Sequence, residues 1–247
     1  MNAKIKVSTI SYTNTKPFVY GLRAFPELLE KAEIIYDSPS GAAFKLLNND
    51  SDLGIVPVAI LPELPVSYII TDYCIGADGP VNSVFIFSKK PIEQVKKIRL
   101  DSQSRTSNNL ARILCSNFWQ IQVTFINADS LDVADAEVLI GDRTFYERNQ
   151  FDYQYDLSSE WKKFTGLPFV FAVWAANKKL DPDFISQFNQ AMKWGVNHID
   201  DLLLELPSIP GFDLGDYLKY KLSFEFTDEK KAGLERYLNF VHQLERV

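Results

Sequence analysis

The 247-residue chain has only two cysteines, Cys74 and Cys115, and only two histidines, His198 and His242. The cysteines stand far apart with no Cys-x-x-Cys pairing, so neither a disulfide framework nor a zinc site of the usual kind can be assembled. Both lie in apolar stretches and are expected to be inert core thiols. Excess charge of basic sign is also missing: 26 basic residues against 32 acidic ones give a net charge of -6. That balance excludes a general basic field for nucleic acid or for an anionic membrane surface, so an anionic ligand must be held by local donors. No run of ~18 or more apolar residues occurs, which excludes a membrane-spanning helix. Lys4 and Lys6 are followed by no apolar stretch of signal-peptide length before Asn14 and Pro17, and a cytoplasmic location is expected.

What is present is ordinary globular material, 46% apolar, 23% charged and 13% aromatic. The length suits one large domain or two modest ones. Short β-branched runs alternate with helical patterns. Strands are expected at Ile5 to Ile10, Glu33 to Tyr36 and Leu53 to Ala59, with a helix entered near Asn14 or Thr15 and a second one capped by Ser40. A second unit of the same kind runs from strand Ile98 to Leu100, through a helix from Thr106 to Phe118, to strands Val123 to Ile126 and Val138 to Ile140. After Asn177 the pattern is long amphipathic helices without strands, Asp181 to Leu206 and Thr227 to Arg246.

This order predicts an α/β protein of two lobes with mixed, mostly parallel sheets. Two extended apolar segments, Ser83 to Ser88 and Phe169 to Ala175, read as the passages between lobes. Residues 1–87 plus 176–247 then form the first lobe and 88–175 the second, with a ligand cleft between them.

Polar chemistry gathers where strands end and helices begin. Ser11-Tyr12-Thr13-Asn14-Thr15-Lys16-Pro17-Phe18 offers hydroxyls, an amide and unpaired helix N-terminal N–H groups, all suited to a carboxylate. Asp101-Ser102-Gln103-Ser104-Arg105-Thr106-Ser107 repeats the arrangement in the second unit, with more hydroxyls than one cap needs. A plain N-cap and a solvated loop are the competing readings of these segments. Ser83 and Gly141-Asp142 would border the same space, Asp142 serving as a cap for the residues after it or as an orienting carboxylate. Trp161, Trp174 and the rings of Phe169 and Phe171 read as core. Glycine-rich dinucleotide, P-loop and nucleophile-elbow motifs are all missing, and neither histidine lies near a polar mouth, so His-based hydrolysis is not expected.

Taken in order, the segment Ser11 to Phe18, Asp52-Leu53-Gly54-Ile55-Val56-Pro57, Ser83-Val84, Leu100 to Ser107, Leu139-Ile140-Gly141-Asp142, and Trp161 with Thr165 to Ala172 resemble the menaquinone-biosynthesis chorismate dehydratases. The similarity runs over roughly residues 5 to 177. It implies a type II periplasmic-binding-protein-like fold and loss of water from chorismate to give 3-[(1-carboxyvinyl)oxy]benzoate on the futalosine route. The enolpyruvyl carboxylate of the substrate is expected to act as the base, with Asn14 as the catalytic residue that orients it or the departing hydroxyl, and Ser11, Thr15, Ser83, Ser104, Arg105, Thr106, Ser107 and Asp142 are expected to bind the substrate. No cofactor or metal is required by the reaction, and the expected partner is the small molecule alone. Thr13 departs from the family, which more often has an aliphatic residue there, and its side chain is expected to point away from the cleft. The alternatives are the sister 1,4-dihydroxy-6-naphthoate synthases, whose N-terminal motif and late histidine are not seen here, and a non-catalytic cytoplasmic protein that binds a small anion.

Overall fold

Strand β1 (Ile5–Ile10) is buried from Val7 onward and feeds helix α1 (Lys16–Arg23), short helix α2 (Pro26–Lys31) and strand β2 (Ala32–Asp37). The structure, a computed structural model, describes residues 4–244. Helix α3 (Pro39–Leu47) is capped by Ser38, whose hydroxyl accepts the Gly41 N–H at 3.1 Å, so the cap falls two residues before the expected Ser40. Strand β3 (Leu53–Pro57) is buried throughout, and β4 (Tyr68–Ala77) follows. The chain then crosses to β5 (Val84–Ser88), β6 (Lys97–Arg99), α4 (Arg105–Ile113), β7 (Thr124–Ile126), β8 (Ala136–Ile140), α5 (Arg143–Glu147), β9 (Tyr153–Asp156) and α6 (Leu157–Thr165). It returns through β10 (Phe169–Ala176) to α7 (Pro182–Asn197), α8 (Ile199–Glu205), the single turn α9 (Leu214–Asp216), β11 (Ser223–Glu225) and α10 (Asp228–Leu244).

The strands form two sheets, ordered β11-β4-β10-β3-β1-β2 and β7-β6-β8-β5-β9. Parallel pairing, expected to dominate, is confined to β2-β1-β3 and β7-β6-β8. The remaining pairs, made by β10, β4, β11, β5 and β9, are antiparallel. Sheet membership also moves the expected boundaries. The strand at 84–88 pairs with β8 and β9, and the strand at 169–176 with β3 and β4, so each belongs to the sheet opposite the one assigned from sequence. Both strands are buried along their whole length, so burial pattern alone cannot tell which sheet receives them.

The region after Asn177 is not strand-free, because β11 adds an edge to the first sheet. Its long helical stretch is broken at His198 into α7 and α8. Helix α7 lies against α1 at very close range: a Cβ on Gly21 would sit 1.9 Å from the Ala191 carbonyl oxygen, and one on Gly195 would sit 1.9 Å from that of Pro17. Only paired glycines allow this crossing. Phe18 on α1 is fully buried, edge-on to Trp174 at 5.9 Å and Phe224 at 5.4 Å, which fixes the polar segment before it to the first sheet. Trp161 and Trp174 are core residues, as expected. Cys74 and Cys115 are buried, and burial pushes their thiols up to about 11 and about 12, so neither offers a thiolate at neutral pH. Among the described residues no helix is long and apolar enough to cross a membrane.

Candidate active site

The first polar mouth follows β1. Residues alternate sides as the strand ends, so Ile10 and Tyr12 line the cavity between the sheets and Ser11 faces away. Ser11 is exposed and borders a separate groove with Lys16 and Arg23, which removes it from the expected binding set. Thr13–Thr15 form a 3₁₀ turn, and the residue before α1, Thr15, makes no side-chain cap. Its hydroxyl instead donates to the carbonyls of Ile10 (2.5 Å) and Tyr12 (2.8 Å), so Thr15 lines the cavity but has its proton committed to the backbone. That bond tightens the turn which carries Asn14 into the cavity wall. The Asn14 Oδ1 atom is enclosed and has no hydrogen-bond partner among the described residues.

The N–H groups expected to hold a ligand carboxylate at this mouth are partly taken by the protein itself. Asp142 accepts the Thr13 N–H at 3.1 Å on Oδ1 and 3.3 Å on Oδ2, and its Oδ2 accepts the Thr13 hydroxyl at 2.9 Å. Asp142 therefore ties the first mouth to the turn after β8 and does not line the cavity, and it makes no side-chain cap on α5. Thr13, expected to point away in an extended segment, is buried in the turn and supplies that bond.

The second mouth follows β6. Ser104 caps α4: its Oγ accepts the Ser107 N–H at 3.1 Å and donates to Ser107 Oγ at 2.9 Å. Residues three apart share a helix face, and Ser104 and Ser107 both line the cavity. Arg105 and Thr106 lie on other faces. Arg105 is exposed and its Nη1 reaches both carboxylate oxygens of Glu63 at 2.8 Å. Thr106 is buried, its Oγ1 accepting the Ala59 N–H at 3.2 Å and its carbonyl accepting the Tyr237 hydroxyl at 3.1 Å. These two residues fasten α4 to neighbouring elements and leave the expected binding set. Asp101 is buried and closes its own loop, accepting the Gln103 N–H at 2.7 Å and a bond from Arg143 Nη2.

Ser83 sits where the chain crosses between sheets, and its surroundings fix its direction. Asp156 accepts the N–H groups of Val81 at 2.9 Å and Asn82 at 2.7 Å, besides capping α6 through Ser158 and Ser159. Burial raises the Asp156 carboxyl, and these four N–H donors oppose the rise. Arg148 Nη2 donates to the Asn82 carbonyl at 2.9 Å, holding Asn82 at a φ of 61°, and the Ser83 carbonyl accepts the Gly141 N–H at 2.8 Å. The Ser83 Oγ accepts the buried Tyr217 hydroxyl at 2.9 Å. Gly141, at φ 65°, must be glycine for a second reason: a Cβ there would lie 2.6 Å from Tyr12 Cε2. Tyr12 thus packs directly on the β8 turn and donates its hydroxyl to Gln103 Oε1.

The resulting cavity is narrow, about 50 Å³. Asn14 and Thr15 contribute from the first mouth, Ser104 and Ser107 from the second, and Ser83 from the crossing, over apolar flooring that includes Phe171 and Ala172. Among the described residues Tyr12 is the sole lining side chain that titrates, and burial raises its phenol, opposed by Arg143. His198 stacks on Trp194 at 3.9 Å and His242 is exposed on α10, so neither reaches the cavity. No group of three or more His, Cys, Asp or Glu among the described residues could hold a metal ion. Sequence reasoning missed Tyr12, whose alternation with Ile10 gave a usable signal. It also missed Tyr217, for which the C-terminal pattern gave none.

Two sheets of mixed direction flanking a cavity place the chain in a class, the periplasmic-binding-protein fold. A Candida albicans protein described as having that fold superposes with a TM-score of 0.64 at 13% identity, covering 98% of this chain and 94% of its own. The periplasmic aliphatic sulphonate-binding protein of Escherichia coli gives 0.61 at 14% identity, with 100% and 94% covered. An Archaeoglobus fulgidus protein gives 0.74 at 14% identity, with 99% and 98% covered. At the level of sequence, the profile of a menaquinone biosynthesis family matches residues 5–243, and the chain belongs to that family. It is 24% identical over 214 residues to the chorismate dehydratase of Thermus thermophilus, covering 77% of each chain.

Proposed function

We propose that the protein is a chorismate dehydratase, a carbon–oxygen lyase that removes water from chorismate to give 3-[(1-carboxyvinyl)oxy]benzoate. Family membership and the Thermus relative support the reading. The observation that carries it is a mainly apolar cavity into which a few neutral hydrogen-bonding side chains, Asn14, Ser83, Ser104 and Ser107, are placed, and which, Tyr12 aside, has no titrating side chain among the described residues. Such a lining suits a reaction whose base is the substrate. The proton lost is at C3, vinylogous to the ring carboxylate, and the leaving group is the C4 hydroxyl. The enolpyruvyl carboxylate of chorismate takes the C3 proton, the C4–O bond breaks with both electrons leaving on oxygen, and that proton completes the departing water.

The protein then contributes position and electrostatics. Ser107 and Ser83 each accept a bond from another hydroxyl, so each has its own proton to give to a carboxylate. The free N–H groups at the start of α4 add to that field, stabilising the dienolate as charge moves onto the ring carboxylate. Asn14 Oδ1, enclosed and without a donor, accepts the C4 hydroxyl and orients it. At about 50 Å³ the cavity is smaller than the several hundred Å³ usual for ring-sized ligands, so the lobes part to admit substrate. Both histidines lie outside the cavity, which disfavours the sister naphthoate synthase chemistry.

The test is incubation of the protein with chorismate, following the aromatic product by absorbance and chromatography. Product formation supports the lyase. A thermal shift without product would assign the cleft to binding alone.

A further inference from the structure

Tyr217 lies in the π-helical turn Tyr217–Lys221 after α9, beyond the motifs singled out in the sequence between residues 5 and 177. It is buried, its ring edge-on to Phe145 at 5.2 Å and Phe212 at 5.5 Å, and those two rings stack on each other at 3.8 Å. The one hydrogen bond its hydroxyl makes among the described residues goes to Ser83 Oγ, at 2.9 Å. Ser83 in turn lines the cavity. The Ser83 carbonyl is held by the Gly141 N–H and the preceding Asn82 by Asp156 and Arg148, so with the backbone fixed on both sides the hydroxyl proton is free to be directed.

We propose that Tyr217 is a positioning residue: by donating to Ser83 Oγ it turns the Ser83 proton into the cavity, toward the anionic group of the ligand. Burial raises the Tyr217 phenol, which keeps it a donor at neutral pH. A hydroxyl oxygen that accepts one bond this way is left with its proton for another acceptor, and the pair acts as a relay with its end in the cleft. Ser104 and Ser107 form the same kind of relay on the facing wall. The C-terminal region is thereby part of the site, in addition to covering the first sheet. The inference rests on the proposed reading of the cleft as a chorismate site.

The experiment compares wild type, Tyr217→Phe, Ser83→Ala and the double variant, measuring kcat and KM with chorismate, calorimetric affinity for 3-[(1-carboxyvinyl)oxy]benzoate, and melting temperature. Tyr217→Phe keeps the ring packing, so it melts within a few degrees of wild type, while kcat/KM falls about tenfold. The double variant matches Ser83→Ala within about twofold, because both changes remove the same directed proton. A purely structural tyrosine would shift melting and leave kcat/KM within about twofold of wild type. That result, or losses that multiply in the double variant, overturns the proposal. Should Tyr217→Phe fail to fold, Ser83→Ala decides: a fall in kcat/KM of about tenfold or more is expected, and a change within about twofold overturns the proposal, because the proposed role of the tyrosine runs through Ser83. If the wild type binds the product but does not convert chorismate, the dehydratase reading fails and the affinities test the relay in the same pattern. Absence of both turnover and binding overturns both.

Discussion

The two polar mouths have the same plan, a strand end opening into a helix, but they present opposite chemistry to the cavity. At the second mouth Ser104 caps α4 and passes a hydrogen bond to Ser107, so the wall presents donors. At the first, the Thr15 hydroxyl and the Thr13 N–H are spent on the backbone and on Asp142, and what this mouth adds to the cavity wall is the Asn14 amide, whose Oδ1 is enclosed without a hydrogen-bond partner among the described residues. A donor wall suits a carboxylate, and an acceptor suits a hydroxyl. Under the proposed dehydratase reading, the difference assigns one jaw to gripping charge and the other to orienting the group that leaves.

The comparison breaks most visibly at Asn14. Asn14→Ala is expected to keep the fold and lower kcat by about 10²- to 10³-fold, the range for losing one well-aimed group in a dry site, as steady-state assays would read. Near-normal turnover would make the acceptor wall passive. Gly141→Ala strikes the contact between the first mouth and the turn after β8, since its Cβ would meet Tyr12 and its φ is 65°. A loss of about 1–3 kcal/mol in urea unfolding is expected there.

The donor wall can be divided by two smaller changes. Ser104→Ala removes a helix cap and a relay donor, costing about 1 kcal/mol of stability together with a rise in KM, whereas Ser107→Ala raises KM with little effect on unfolding. Equal stability losses in the two variants would mean that Ser107 acts through the helix and not through the ligand. The smallest effect belongs to Arg105→Ala. Its pair with Glu63 is about half exposed, with side-chain exposures of 56% and 47%, so stability should change by less than about 0.5 kcal/mol and kcat/KM should be unchanged. A large loss of activity would restore Arg105 to the binding set.

Much of this arrangement could be read from the sequence because it rests on local rules. Buried strands such as Leu53–Pro57 announce themselves by composition, and Asp181 by its cap. The edge strand Ser223–Glu225 is too short to show a period, and β4, with Thr71 and Asp72 in its middle, lacks the unbroken apolar run of its neighbours. Strand direction and lobe assignment depend on partners distant in sequence, so the apolar strands at 84–88 and 169–176 were open to either sheet. Of the residues expected in the site, Asn14, Thr15, Ser83, Ser104 and Ser107 line the cavity. Ser11, Arg105 and Thr106 do not, and the periods of strand and helix that turn them away were available; Asp142 does not either, its carboxylate being held on Thr13. The bond from Thr13 to Asp142 and that from Tyr217 to Ser83 join residues more than a hundred positions apart, which no local pattern encodes.

The most direct test of a cleft that supplies no base of its own is the pH dependence of kcat for chorismate dehydration. Tyr12, raised above its usual value by burial, stays protonated through the neutral range, and the substrate carboxylates are ionised above about pH 5. The account therefore predicts a flat profile from about pH 6 to about pH 9. An inflection inside that window, removed by substituting a protein side chain, would contradict it.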